Sequence, residues 1–201
     1  MAFIETVART AAQGPVGEMY ELVERRVGYL PNWVTAFSLR PDVWRAWDAL
    51  NGAIRTKLSV REYELATLAA AKALRSSYCA LAHGRVLAEQ VFDAPTVTAI
   101  ATDPATAPLS AGERAMMAFA EKIVQGADRI TKDDVDALRA HGYSDEAIFD
   151  FAATAAARCF FSKLLDAMGV QADAGYQGFL SPSLREALTV GRPLASPAVS
   201  T

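Results

Sequence analysis

The chain has 201 residues, of which 52% are hydrophobic and 21% are charged, and its formal net charge is −3. This length and apolar content suit one domain with a sizeable core, and they exclude a wholly disordered chain. The acidic balance, without a concentrated basic surface, is not that of a nucleic-acid-binding protein.

The N-terminal segment and the cysteines bear on where the protein works. Residues 1–14 carry acidic and polar side chains early and no apolar core, so we expect no secretory signal. No stretch is long and apolar enough to span a bilayer, so we expect no membrane partner. Cys79 and Cys159 lie far apart, and two cysteines are too few for a secreted disulfide scaffold. We therefore predict a cytoplasmic protein.

The first half of the chain predicts a series of helices. Alanine, leucine, glutamate and arginine dominate, and alternating β-branched residues are almost absent, which indicates an all-α protein. Residues 40–57 follow a proline signal and carry one apolar face at helical spacing. The positions on that face are Trp44, Trp47, Leu50 and Ile54. A capping box of Ser59 and Glu62 then begins the next helix, because each side chain satisfies a free backbone amide of the first turn.

After a short break at residues 75–77, the second half repeats this pattern. Residues 144–169 predict a long helix that is apolar on several sides and therefore central. Capping boxes and terminal glycines delimit the two helices before it. These are Ser110 with Glu113 and Gly126 for the first, and Thr131 with Asp134 and Gly142 for the second.

The domain organisation follows from these elements. Residues 1–180 read as a single all-helical domain, and residues 181–201 as a serine- and proline-rich tail that is mobile or wraps a neighbouring subunit. Residues 58–73 and 143–158 are alike enough to leave an internal duplication open. Alanine-rich helices resemble each other by composition alone, however, so this likeness does not decide the matter.

The stretch RSSYCALAHG, residues 75–84, brings a cysteine and a histidine close together. With Ser76 or Ser77 as N-cap, Cys79 lies in the first turn of a helix, where free amides and the helix dipole favour a thiolate. His83 follows at i+4 on the same face, and it is placed to accept the thiol proton. These two residues are the candidate reactive pair.

Other residues complete or compete with this interpretation. Glu64, on the preceding helix, becomes the orienting carboxylate if the two helices pack as a hairpin, and Gly84 leaves space beside the imidazole. The structural alternative is that Cys79 is an ordinary core cysteine, since free cysteines are among the most buried residues. Cys159, mid-helix among apolar residues, is expected to be structural, and His141 a solvated helix end. A zinc site of Glu64, Cys79 and His83 is the weaker option, because their spacing follows no zinc pattern.

Several stretches together resemble a known family. The segments GYLPNWV, RPDVWRAW and LSVREYELATLAAAKALRSSYCALAHG, followed by LSAGERAMMAFAEKI and GYSDEAIFDFAATAAARCFFSKLLDAMGV, extend from about Gly28 to Asp173. They resemble the carboxymuconolactone decarboxylase/alkylhydroperoxidase D-like superfamily, in particular its peroxidase-related branch. The signature of that branch is a glutamate, a CxxC pair at a helix start, and a histidine four residues after the second cysteine.

This chain departs from the signature at one position. Glu64 matches the glutamate, Cys79 the second cysteine and His83 the histidine, whereas Ser76 replaces the first cysteine. The family mechanism implies a dithiol, in which one thiolate attacks peroxide and the other closes a disulfide on the sulfenic acid. A serine cannot close that disulfide, but the nucleophile, the base and the orienting acid remain.

The resemblance implies the all-α alkylhydroperoxidase D-like fold, a homo-oligomer (trimer or hexamer), no bound cofactor and no metal. It also implies a peroxidase that uses Cys79, His83 and Glu64, with Tyr78 at the pocket, and takes a small thiol, a thiol protein or Cys159 to reduce the sulfenic acid. A second outcome is a non-redox enzyme of decarboxylase type that acts on a small organic acid, with Cys79 as a pocket wall. The third is a non-catalytic helical assembly module with no reactive thiol.

Overall fold

A computed structural model describes residues 2–196, and this part of the chain contains eleven α-helices and no strand. The helices are α1 (Gly14–Val27), α2 (Asn32–Ala36), α3 (Pro41–Arg55), α4 (Val60–Ala73), α5 (Ser77–Gln90), α6 (Ala94–Thr102), α7 (Ala111–Gly126), α8 (Lys132–Ala140), α9 (Asp145–Ala167), α10 (Tyr176–Phe179) and α11 (Pro182–Leu188). Three short 3₁₀ helices accompany them, at Arg9–Ala11, Phe37–Leu39 and Ala127–Arg129. The prediction of an all-α protein is confirmed. Among the described residues, no helix combines the length and the apolarity needed to cross a membrane.

Local capping chemistry sets most helix boundaries. Three helices begin at the predicted capping boxes, whose residues are Ser59 with Glu62, Ser110 with Glu113, and Thr131 with Asp134. In the first box, Glu62 Oε2 accepts the Ser59 backbone N–H at 3.1 Å, and Ser59 Oγ accepts the Glu62 N–H at 3.2 Å. Helix α7 ends at Gly126 as predicted, and Gly142 and Gly169, with φ of +90° and +73°, follow the ends of α8 and α9.

Helices α4 and α9 form the centre of the fold. Every residue of α4 from 63 to 71 is buried, because α5, α7 and α9 all pack against this helix. Its alanines allow these neighbours to approach closely. Helix α9 also packs on α3 and α7, which confirms that it is central. The paired contacts of α4 with α5 produce the expected hairpin, and this hairpin carries the candidate residues.

Helix α3 differs from its prediction at one position. Trp44, Trp47 and Ile54 are buried as predicted, but Leu50 is 53% exposed. At 100° per residue, Leu50 lies about 60° beyond Trp47 and about 120° from Trp44, at the outer edge of the apolar stripe. Helical spacing alone does not separate the edge of a stripe from its middle.

The C-terminal segment packs on its own chain. Helix α11 contacts α6 and α5, where Leu184 and Leu188 are fully buried. Farther on, the Gly191 N–H donates to Ser77 Oγ at 2.8 Å, at the start of α5. The predicted tail is therefore anchored from residue 181 to residue 191, and the part beyond residue 196 lies outside the described residues. Whether that end reaches a neighbouring subunit stays a prediction, as does the internal duplication.

Candidate functional site

A cavity of about 280 Å³ opens among α1, α2, α3, α4, α5 and α9, and it contains the candidate pair. Cys79 and His83 both line it, together with Asn51 and Arg158. Six aromatic side chains also line it, namely Trp33, Trp44, Trp47, Tyr63, Tyr78 and Phe161. All three tryptophans of the chain are thus in this wall. Concave sites of this kind, apolar with a few polar groups, are typical of small-molecule pockets.

Cys79 is the third residue of α5, and its side chain faces the cavity. The chain enters α5 through Arg75, whose φ of +55° makes the turn from α4. Ser76 takes the N-cap position, but its side chain makes no capping hydrogen bond, so the predicted cap is right in place and wrong in mechanism. Cys79 is only 2% exposed, and Ser162 Oγ of α9 donates to its sulfur at 3.1 Å. The sulfur thus accepts a hydrogen bond inside the fold, at the first turn of α5.

Ser76 itself is fully buried and lies away from the cavity wall. Its hydroxyl lies near the Asp166 carboxylate but makes no hydrogen bond within 3.5 Å. Burial raises the pKa of Asp166, and this hydroxyl acts in the opposite direction. Residue 76 is therefore a small polar group in the core behind Cys79.

Glu64 and His83 meet across the α4–α5 hairpin. His83 Nδ1 lies 2.5 Å from Glu64 Oε2, and the Glu64 side chain is 3% exposed. On its other side, His83 Nε2 lies 3.2 Å from Arg158 Nη1, a group that can only donate. These partners assign the proton to Nδ1 and leave the Nε2 lone pair toward Arg158 and the cavity. The imidazole is then a base held in one tautomer by a buried carboxylate.

Arg158 and Ser162 are site residues that sequence reasoning missed. Arg158 is 3% exposed, and its Nη2 donates to Asn51 Oδ1 at 2.9 Å. Its guanidinium carbon lies 4.8 Å from the Trp47 ring centroid and 5.2 Å from that of Phe161. The available signal was an arginine inside the apolar stretch AATAAARCFF of a helix predicted to be central, where a charge has to be buried.

Cys79 and His83 share the cavity but not a hydrogen bond. Among the hydrogen bonds of residues 2–196, the sulfur is bonded to Ser162, and the two imidazole nitrogens to Glu64 and Arg158. The thiol and the imidazole are therefore not placed for direct proton transfer in this structure. In apo structures such gaps are common, and they do not disqualify a base.

Tyr78 connects the cavity wall to residues 29–33 and to Asp173. Its hydroxyl donates to Asp173 Oδ2 at 2.5 Å and accepts the Trp33 backbone N–H at 3.1 Å. Asp173 also accepts from the Asn32 N–H at 2.7 Å and from the Tyr29 hydroxyl at 3.2 Å. Burial raises the pKa of Asp173, and burial followed by the Asp173 charge raises the pKa of Tyr29 to about 12. Four hydrogen bonds thus fix the aromatic wall beside Cys79.

The remaining candidates lie elsewhere or act differently. Gly84 leaves no free space beside the imidazole, because a Cβ there would lie 2.5 Å from Leu188 Cδ1; that expectation was wrong, since α11 occupies the space. Cys159 is half-buried and is not part of the cavity wall, and His141 is exposed at the end of α8. Within residues 2–196, no three His, Cys, Asp or Glu side chains come together in an arrangement that could hold a metal ion.

Comparison with known proteins places this geometry in context. Residues 41–122 match the model of the Carboxymuconolactone decarboxylase family (CMD), and this range includes Glu64, Cys79 and His83. No curated protein matches the sequence. Among solved structures, an uncharacterized peroxidase-related protein from Ralstonia eutropha JMP134, an alkylhydroperoxidase AhpD core, superposes with a TM-score of 0.79. It is 25% identical, over 87% of this chain and 94% of that one. The fold is alkylhydroperoxidase D-like.

Two further structures share this AhpD-like fold at lower identity. An uncharacterized peroxidase-related protein from Silicibacter sp. TM1040 is 23% identical, with a TM-score of 0.76 over 86% of this chain and 94% of that one. A cysteine-to-alanine variant of the debrominase Bmp8, in complex with 2,3,4-tribromopyrrole, is 22% identical, with a TM-score of 0.73 over 90% of this chain and 95% of that one. The predicted fold is therefore confirmed, and solved structures of this fold include peroxidase-related proteins and a debrominase.

Proposed function

We propose that this chain is a thiol-dependent oxidoreductase of peroxidase type, with Cys79 as nucleophile, His83 as base and Glu64 as the carboxylate that orients His83. The observation that carries the proposal is that the Cys79 sulfur and the His83 imidazole line one small, aromatic cavity. The likeness to the peroxidase-related AhpD-like proteins and the CMD match over the segment that holds all three residues support it.

The first half of the reaction oxidises the sulfur. The bound peroxide displaces the Arg158 N–H from His83 Nε2, and Cys79 gives its proton to that nitrogen by way of the peroxide. The thiolate then attacks one peroxide oxygen. The S–O bond forms, the O–O bond breaks, and the leaving alkoxide takes the proton back from His83 as an alcohol. The products are the Cys79 sulfenic acid and one alcohol, so the sulfur is oxidised by two electrons and the peroxide is reduced by two.

The second half needs thiols from outside the protein. Ser76 offers no sulfur, and Cys159 is not in the cavity wall. A small thiol attacks the sulfenic sulfur, so that water leaves and a mixed disulfide forms. A second thiol then displaces Cys79 as a thiol and leaves as a disulfide. The cavity that admits the peroxide also admits this reductant, which favours a small thiol over a thiol protein.

The second candidate is acid–base chemistry without redox change at sulfur. Replacing the first cysteine by Ser76 removes the internal disulfide, and a tautomer-fixed imidazole backed by a buried carboxylate is itself a general base. In this case Glu64 and His83 move protons on a small organic acid, and Cys79 is part of the wall. The third candidate, a non-catalytic assembly module, requires neither a reactive thiol nor an occupied cavity.

The test compares two matched cysteine variants. Peroxide consumption with a small thiol as reductant is measured for the wild type, Cys79→Ser and Cys159→Ser. We expect turnover in the wild type and in Cys159→Ser, and its loss in Cys79→Ser. The substrate panel includes brominated pyrroles, because the debrominase of this fold was crystallised with one. Equal turnover in Cys79→Ser would exclude the thiol mechanism. Loss of that turnover in His83→Ala would then support the acid–base candidate, in which His83 moves protons.

A further inference from the structure

Arg158 carries a buried positive charge that no carboxylate neutralises within residues 2–196. It is absent from the ion pairs of this part of the chain, and the Glu64 carboxylate near it is bonded to the far side of His83. Of its five N–H groups, one contacts His83 Nε2 and one contacts Asn51 Oδ1, whereas the buried Nε has no partner. A buried charge with unused donors is costly unless a ligand completes it.

The guanidinium is held in place at the cavity wall. Its contacts with the Trp47 and Phe161 rings fix the orientation of its plane, and Asn51 holds one edge. Asn51 is itself fixed, because its Oδ1 also accepts the Tyr63 hydroxyl at 2.8 Å. A guanidinium of fixed orientation at a cavity wall is suited to bind a carboxylate through charge-assisted hydrogen bonds.

The charges around the cavity act in the same direction. Four charged side chains line it, the three arginines Arg26, Arg55 and Arg158 and the single carboxylate Asp48. Arg26 is paired with Asp48 at 2.8 Å, and Arg55 lies over the Tyr63 ring at 5.0 Å. The wall therefore has a net positive charge, although the whole chain has a net charge of −3. Such local reversal attracts small anions into a cavity.

The volume and the aromatic wall limit the shape of the ligand. A cavity of about 150 Å³ is known to hold benzene, so one of about 280 Å³ holds a single ring with substituents. The tryptophan and phenylalanine faces favour a planar group over a branched one. These limits, with the cationic wall, define an anionic, planar, single-ring molecule.

We propose that the cavity binds a small aromatic carboxylate, with the carboxylate on Arg158 and the ring between the aromatic walls next to Cys79. This inference goes beyond the proposed function, because it takes the same cavity as the site and names a class of ligand that binds there beside the peroxide-reacting sulfur. It also assigns Arg158 as the residue that selects charged over neutral ligands, a binding role that the peroxidase mechanism itself does not require.

Binding is tested with benzoate and its neutral isostere benzamide. All three tryptophans line the cavity, so intrinsic fluorescence follows occupancy directly, and calorimetry provides an independent dissociation constant. We expect the wild type to bind benzoate about 10- to 100-fold more tightly than benzamide, since hydrogen bonds to a charged group are stronger than neutral ones. The preference should decrease as salt is added. Equal affinities in the wild type would overturn the proposal without reference to any variant.

The variant Arg158→Gln assigns the preference to one residue. We expect benzoate affinity to fall by about 10- to 100-fold and benzamide affinity to stay the same, because the cavity itself persists. Arg25→Gln, on the exposed face of α1, is the matched control and should change neither. An equal loss of both ligands in Arg158→Gln would show that Arg158 only supports the wall, and it would overturn the proposal.

The two proposals fail in different ways. Benzoate binding is also measured on Cys79→Ser, where we expect it to persist because the carboxylate contacts Arg158 and not the sulfur. Selective benzoate binding in a protein without peroxide turnover would reject the peroxidase and keep the ligand class. Turnover without benzoate selectivity would do the reverse.

Discussion

Gly84 provides a direct test of how the C-terminal helix packs. A Cβ on Gly84 would lie 2.5 and 2.8 Å from the two methyl carbons of Leu188, which is fully buried. Gly84→Ala therefore gains about 1 kcal/mol of helix propensity but costs about 1–3 kcal/mol of overpacking. The matched control is Gly52→Ala in α3, where a Cβ meets nothing within 4 Å. There the same change should stabilise the protein by up to about 1 kcal/mol.

The difference between the two variants is measured by urea unfolding followed by circular dichroism. A gap of about 1–3 kcal/mol corresponds to a difference of about 0.5–1.5 M in urea midpoint for a slope near 2 kcal/mol per M. Leu188→Ala alone should cost about 2–5 kcal/mol. In the double variant the new methyl occupies space that Leu188 vacates, so the total cost should be at least about 1 kcal/mol below the sum. If Gly84→Ala stabilises as much as Gly52→Ala, α11 does not pack on α5.

Three further predictions concern the site. Ser162→Ala removes the hydroxyl that donates to the Cys79 sulfur. Alkylation of Cys79 by iodoacetamide at neutral pH, measured in a Cys159→Ser background, should therefore slow by about 3- to 10-fold. An unchanged rate would show that this donor does not stabilise the thiolate. Burial raises the pKa of Asp173. The stability of the wild type relative to Asp173→Asn should therefore be greatest below the unfolded pKa of about 4, and it should fall as pH rises through the folded pKa. Urea unfolding at several pH values tests this dependence, and the opposite slope would refute it. After one equivalent of peroxide, Ser76→Cys should form a disulfide with Cys79, whereas the wild type without added thiol should stop at the sulfenic acid. Intact mass after thiol blocking distinguishes the two products. Free thiols that persist in the variant would show that residue 76 is too far from the sulfur.

The sequence predicts the elements whose signals are local. A capping box joins residues three positions apart, so Ser59 with Glu62 and Ser110 with Glu113 are readable without a fold, and both boxes are present. The same holds for α5, whose start at residue 77 places Cys79 in the first turn. The predictions were wrong where packing decides whether a position is filled or buried. Helix α11 fills the space beside Gly84. Leu50 has the right spacing but lies at the edge of the stripe.

The candidate site is readable only in part for the same reason. Cys79 and His83 are one helical turn apart, and Glu64 lies on the adjacent helix of a hairpin, so their meeting follows from short-range structure. Arg158 reaches His83 across 75 positions of sequence, and Ser162 reaches the sulfur across 83. No local pattern encodes such contacts, because they depend on how α9 packs against the α4–α5 hairpin. The apolar stretch around Arg158 indicates that the residue is buried, but local spacing does not show which residues it contacts.

The contact between Gly191 and Ser77 has a consequence for protein synthesis. Gly191 leaves no room for a side chain, since a Cβ would lie 1.8 Å from the Arg75 carbonyl oxygen, so the segment covers the start of α5 closely. Asp173, which fixes the cavity wall, also comes long after Cys79 in the chain. At about 5–20 residues per second, the ribosome needs roughly 6–22 s to make the residues from 79 to 191. The growing chain, rather than the folded protein, is thus the form in which this sulfur is least protected from oxidants.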